Sequence, residues 1–330
     1  MARPVVTRLF IWGALVLLLA LPPLVQGLGA DFAVGVATRI LIFALVGTSL
    51  NLILGYGGMV SFGHAAFFGA GAYVVAILAQ HDTSGEPLLT WPIAVEGTQS
   101  AFIAWPAAMA VSAILALVIG VVALRTSGLY FIMITLAFAQ MLYFFFISLR
   151  AYGGEDGLSL FARSAAGPLD LADDVHFYYL VLGLVLLALW LKRRLVAARF
   201  GRVLRGIRDN ERRMQALGFP TFRYKLAAFA MAGAAAGLAG ALIANQTEFV
   251  SPSFLDWQRS GEILVIVILG GMGRVYGPVA GAAAFLLLEE VLSAWTDHWM
   301  LVLGPILALV VLFAKGGIWS LIDRGGQADG

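Results

Sequence analysis

The chain has no cysteine, only three lysines and four histidines, and just 12% charged residues in 330. Without cysteine there can be no disulfide and no thiolate metal site. The histidines are scattered and lack the close spacing of metal ligands. A phosphate-cradling loop needs glycines ahead of a Lys-Ser or Lys-Thr pair. Here Lys192, Lys225 and Lys315 precede Arg193, Leu226 and Gly316, so the chain supplies no such nucleotide site. No catalytic residue, metal site or cofactor is expected, and any energy for work must come from another subunit or an ion gradient.

What is abundant is apolar surface. Hydrophobic residues make up 61% of the chain, against about 45–50% in soluble domains. Runs of about 20 apolar residues can each cross a hydrocarbon core of roughly 30 Å as a helix. Such runs occupy residues 10–28, 32–54, 64–79, 105–124, 129–148, 177–191 and 226–244. The stretch 261–293 is too long for one span and is interrupted by Gly270-Gly271-Met272-Gly273-Arg274, giving two shorter crossings, and a last span covers 301–314. The expected fold is an all-α polytopic membrane protein of about ten transmembrane helices, some broken at glycines, forming one domain over 1–330. Arg3 and Arg8 before the first apolar run also fit the start of a secretory signal. Leu28 stands where a cleavage site wants a small residue, which favours a retained first span.

Charge orients the bundle. Of 21 Lys and Arg residues, 11 fall between Lys192 and Lys225. Such a basic loop between apolar spans marks the cytoplasmic side and does not require a nucleic-acid partner. Alternation places Arg3, Arg8, Arg125, the 192–225 loop, Arg274, Lys315 and Arg324 inside. Segments 81–104 and 149–176 fall outside; the first has three acids and no Lys or Arg, the second five acids and two arginines. Both termini then face the cytoplasm. Arg39 and the pair Glu289–Glu290 lie near span ends, where snorkelling is the expected explanation.

Two glycine breaks carry a weak internal repeat. Gly57-Gly58-Met59-Val60-Ser61-Phe62-Gly63 and Gly270-Gly271-Met272-Gly273-Arg274-Val275-Tyr276-Gly277 share GGM followed by an aromatic-Gly pair. Broken helices in lipid are tolerated where the backbone is buried in protein or lines a cavity, which makes these glycines candidates for a transport pathway. The charge pattern gives both copies the same orientation, whereas inverted five-span repeats would oppose them. His64, beside the first break, could meet substrate or serve as hydrogen-bonded structure. Gly233, Gly237 and Gly240, spaced four and three apart, suit close helix packing, within the subunit or at a subunit interface. Gly153, Gly154, Asp156 and Gly157 in the acidic outer loop could form a plain turn or touch a partner.

The 192–225 loop holds a candidate docking helix. Val203, Leu204 and Ile207 form one apolar patch at helical spacing, and Met214 with Leu217 another. Asp209 or Asn210 can cap a short second helix, Gly218 suits its stop, and Pro220 prevents continuation. A solvated linker lying on anionic lipid fits the charges equally well.

These residues carry a resemblance. The segment around Arg205, Arg208, Glu211, Leu217 and Gly218 resembles the coupling segment of ATP-binding-cassette (ABC) import permeases. The chain as a whole is similar to the LivM-like branched-chain amino-acid permease family. Four blocks carry the likeness: LGYGGMVSFGHAAFFGAGAY at 54–73, GGEDGL at 153–158, the coupling segment at 201–218 and LGGMGRVYGPVAGA at 269–282. Arg-Arg-Met-Gln in the coupling segment and Glu155 in the outer loop depart from the usual small residues. The resemblance implies import of branched-chain or other amino acids, or of similar small polar solutes, across a bacterial inner membrane. It also implies a second permease subunit, two ATPase subunits docking on the coupling segments and a periplasmic solute-binding protein. An ion-coupled secondary transporter and a non-transport membrane scaffold are the competing readings. The first would need intramembrane carboxylates, for which Glu262, Glu289 and Glu290 are the available residues.

Overall fold

The computed structural model describes residues 3–27, 29, 32–88, 96–167, 169–296, 298, 301–305 and 316–319, with side chains from Trp12 onward. The helices are α1 (Arg3–Gly27), α2 (Phe32–Asn51), α3 (His64–Ser84), α4 (Ala101–Ala123), α5 (Leu129–Ser148), α6 (Asp174–Ala197), α7 (Arg199–Ala216), α8 (Thr221–Thr247), α9 (Trp257–Gly270) and α10 (Gly277–Trp295). A two-stranded ribbon pairs β1 (Leu158–Ser159) with β2 (Phe249–Val250). Six helices are long and apolar enough to cross a membrane: α2 with its extension to Tyr56, α4, α5, α6, α8 and α10. The expectation of about ten is therefore not met among the described residues. At 14 residues α9 rises only about 21 Å, while α3 ends in the polar run Gln80–Ser84. Most of the expected span 301–314 lies outside the described residues, as do Lys315 and Arg324.

Small residues set how the bundle closes. α8 is the central helix, buried along Ala228–Asn245 by α3 on one side and α4 on the other. A Cβ on Gly71 of α3 would collide with the Gly237 backbone, and one on Gly240 with the Phe68 carbonyl. The Ser112 hydroxyl of α4 donates to Phe67 O at 2.9 Å across the same approach. Gly233, Gly237 and Gly240 thus serve packing within this subunit, where backbones approach too closely for side chains.

Two ion pairs lie on the apolar helices. Arg39 of α2 meets Glu289 of α10 at 3.0 Å, and Arg259 meets Glu262 on α9 at 2.6 Å. Snorkelling alone does not account for Arg39 and Glu289; each is neutralised by a partner 250 residues away. α8 fixes the two poles of the molecule. Its 27 residues rise about 40 Å, with α7 at its start and the β ribbon at its end.

Candidate functional site

α7 carries the strongest local signals and departs from a simple helix. Asn210 has extended backbone (φ −160°, ψ 97°), which breaks α7 into two pieces. Its Oδ1 accepts from the Arg213 N–H at 2.9 Å, so the second piece is capped as the sequence suggests. That piece stops at Gly218, whose φ of +84° favours glycine. There Leu217 N–H donates to Arg213 O and Phe219 N–H to Met214 O, both at 3.1 Å. The apolar faces differ from expectation. Val203, Ile207 and Met214 form one cluster against Tyr224, and Leu204 turns into the main core. Met214 reaches the first piece because Gly206 has no side chain; a Cβ there would lie 2.8 Å from the Met214 sulfur. Leu217 does not join it and is 64% exposed, with Phe219 nearby also exposed.

The charged residues of this segment have separate tasks. Glu211 receives Lys225 Nζ at 2.7 Å, tying the second piece to α8. Arg205 donates to Val196 O and Gly201 O at 3.2 and 3.3 Å, fastening the α6–α7 turn. Arg208 also reaches out of the segment. Its Nη1 donates to Gly55 O at 2.8 Å, while Nε and Nη2 hold Asp209.

That contact brings both glycine breaks to α7. After Asn51 the backbone of α2 widens into a π turn over Leu52–Tyr56. Gly58 follows at φ +68°, and a Cβ on it would lie 2.7 Å from Arg208 Cγ. The second break packs onto the first. Asn51 Nδ2 donates to Arg274 O at 2.6 Å, and Asn51 Oδ1 accepts from Gly273 N–H at 2.9 Å. A Cβ on Gly55 would overlap Gly273 N, so glycine is required for this approach. Gly271 and Gly273 have φ of +113° and +74°. Gly270 lies against Gly277 and Gly281 where α9 crosses α10. Lys192, buried near the end of α6, donates to Val275 O at 3.4 Å and lies over the Tyr56 ring at 5.9 Å. Arg208 thus joins α7 to the end of α2, and Asn51 joins that end to the α9–α10 turn.

The far side of the first break runs back into the bundle. Phe62 N–H donates to Thr135 Oγ1 of α5 at 3.2 Å, and Ala65 N–H to Ser260 Oγ of α9 at 2.9 Å. His64 is fully buried, its Nε2 2.7 Å from Ser49 Oγ. The Ser49 hydroxyl also lies 2.6 Å from Val46 O. His64 is thus hydrogen-bonded structure on the path between α2 and α3.

Gly153, Gly154, Asp156 and Gly157 lie at the opposite pole and do not meet this cluster. Gly153, Gly154 and Gly157 all have positive φ, and the turn feeds β1, where Leu158 pairs with Val250. A Cβ on Gly157 would overlap Val250 O. Glu155 and Asp156 are exposed at its tip.

Two members of the cluster escape a linear reading. Asn51 is a polar residue at the end of an apolar run, a signal that marks functional positions in membrane helices. Lys192 reads as part of a solvated basic stretch. Yet Val185, Leu189, Lys192 and Val196 recur at helical spacing along the buried face of α6.

The family model described as branched-chain amino acid transport system / permease component matches residues 32–314. The high-affinity branched-chain amino acid transport system permease protein LivM of Salmonella typhimurium is 29% identical over 352 residues, which covers 98% of this chain and 78% of that protein. LivM of Escherichia coli is 29% identical, covering 94% and 74%. The autoinducer 2 import system permease protein LsrC of Yersinia enterocolitica is 27% identical over 184 residues, or 52% of this chain and 49% of that protein. No solved structure matches the chain.

Proposed function

The chain belongs to the family of branched-chain amino acid transport system permease components, and from that premise we propose that it is one of two membrane-spanning subunits of an ATP-driven importer. In this reading α7 is the cytoplasmic docking segment for an ATPase subunit, and both chain termini share that side. The turn at 153–157 faces the periplasm, towards a solute-binding protein. The solute is a branched-chain or other amino acid, or a similar small polar molecule. ATP is hydrolysed by the partners.

The observation that carries the reading is Arg208. One guanidinium joins a surface helix bearing an exposed Leu217 to the backbone of a broken membrane helix. A docking partner moving α7 would pull on both breaks. Of Glu262, Glu289 and Glu290, the carboxylates an ion-coupled mechanism would need, the first two are each paired with an arginine, which supports the ATP-driven reading.

The test is reconstitution of the complete importer with Leu217→Glu. Docking of the ATPase subunit should weaken by about 1–3 kcal/mol, the value of burying one leucine. Solute binding to the separate binding protein should stay unchanged. Uptake by vesicles that hold the permease without any ATPase subunit, driven by an ion gradient, would overturn the proposal.

A further inference from the structure

A long apolar groove lies between α4 and α6 and reaches the cluster of the breaks at Leu52 and Lys192. Its volume is 780 Å³. Phe102 and Trp105 of α4 form one wall, Leu184 and Leu191 of α6 the other, and Leu45 of α2 with Leu238 of α8 line the floor. Apart from the Trp105 indole, the polar residues in the lining are Thr48, Ser49 and Lys192. Along α6 the lining runs from Leu180 to Leu195, a rise of about 22 Å. One leaflet of the hydrocarbon core is about 15 Å thick, so a single acyl chain fits the groove lengthwise.

The cation decides the occupant. Lys192 stands towards the α7 end of the groove, followed by the exposed Arg193 and Arg194. Its hydrogen bond to Val275 O is long at 3.4 Å, and the Tyr56 ring is its other neighbour. Lys192 is already buried with no acidic side chain in a salt bridge to it among the described residues, and an apolar helix laid in the groove would leave it so. A phospholipid brings both parts, with its chain for the apolar walls and its phosphate at the depth where the α6 cations begin. Basic pockets between membrane helices bind anionic headgroups in this way. A lysine stem is long enough to swing from a backbone carbonyl to such a group.

We propose that the α4–α6 groove holds one acyl chain of an anionic phospholipid from the leaflet on the α7 side, with Lys192 pairing its phosphate headgroup. The site shares Lys192 with the cluster at the helix breaks and does not depend on which solute is carried.

Native mass spectrometry of the complete importer, extracted in mild detergent and offered phosphatidylglycerol or phosphatidylcholine of equal chain length, tests this. One phosphatidylglycerol should remain per copy of this chain, preferred about fivefold, as one basic residue beside an anionic headgroup gives. Lys192→Met should abolish the preference and keep the chain bound. Ala188→Trp, or Leu187→Trp if the first fails to assemble, should fill the groove and lose both lipids from an otherwise intact importer. Equal retention of the two lipids, no retention by the unaltered chain, or undiminished retention by the assembled tryptophan variants would overturn the proposal. So would efficient cross-linking of Leu187→Cys to a second permease subunit, which would put a protein helix in the groove.

Discussion

Replacing Arg208 with alanine should uncouple the importer without dismantling it. The side chain makes two kinds of contact. Its bonds to Asp209 are exposed and contribute close to nothing after solvent screening. Its Nη1 bond of 2.8 Å to Gly55 O reaches a buried backbone position. A hydrogen bond from a charged group contributes about 1.5–3 kcal/mol. Because the Arg208 side chain is 41% exposed, the lower end applies: ~1.5 kcal/mol, or about tenfold in the equilibrium between linked and released breaks. Asn51 still joins the two breaks to each other, so folding should survive. The assay is paired measurement of solute uptake and ATP hydrolysis in vesicles holding the whole importer. Uptake per ATP should fall by about tenfold, with hydrolysis and subunit assembly retained. Arg208→Lys should recover part of the loss, since an ammonium can reach the carbonyl but lacks the second arm on Asp209. An unchanged ratio of uptake to hydrolysis in a fully assembled Arg208→Ala importer would refute transmission through this contact.

Asn51→Ala removes a fully buried amide and strands Gly273 N–H and Arg274 O; a loss of about 2–4 kcal/mol should appear as a lower melting temperature in detergent together with lost uptake. Gly58→Leu places a branched side chain at φ +68° against Arg208, and about 1–3 kcal/mol of backbone strain should reduce transport at normal membrane abundance; full activity would remove this glycine from the mechanism. Gly237→Leu should block assembly outright, because its neighbours there are the Ser112 side chain and the Ala108 carbonyl; recovery of normal amounts of membrane-inserted protein would contradict the packing described for α8. For topology, single cysteines in this cysteine-free chain should be labelled from outside intact cells at the exposed Phe161 and only after permeabilisation at the exposed Ala216. The reverse pattern would invert the assigned sides.

The sequence by itself determined the solvent, the spans that hydropathy can mark, and the local shape of the basic loop. Asn210 caps and Gly218 stops the second piece of α7 because both signals act within four residues and need no distant partner. Glycines at 57–58 and 270–273 announce interrupted helices for the same reason. Pairing was another matter. Gly55 and Arg208 are 153 residues apart, and Asn51 and Arg274 are 223; no periodicity in either segment specifies which of several broken ends will meet. Tertiary packing decided that, through backbones that approach only where side chains are absent. It also reassigned individual residues. Glu211 reads as free to meet a partner, yet it is held by Lys225. Lys192 reads as solvated, yet the buried face of α6 takes it inside. Met214 left Leu217 for Val203 and Ile207, because the kink at Asn210 turns the second piece back over Gly206 and leaves Leu217 exposed. Local chemistry fixes where a helix starts, breaks and stops; which face of it is covered depends on the helices that arrive from elsewhere in the chain.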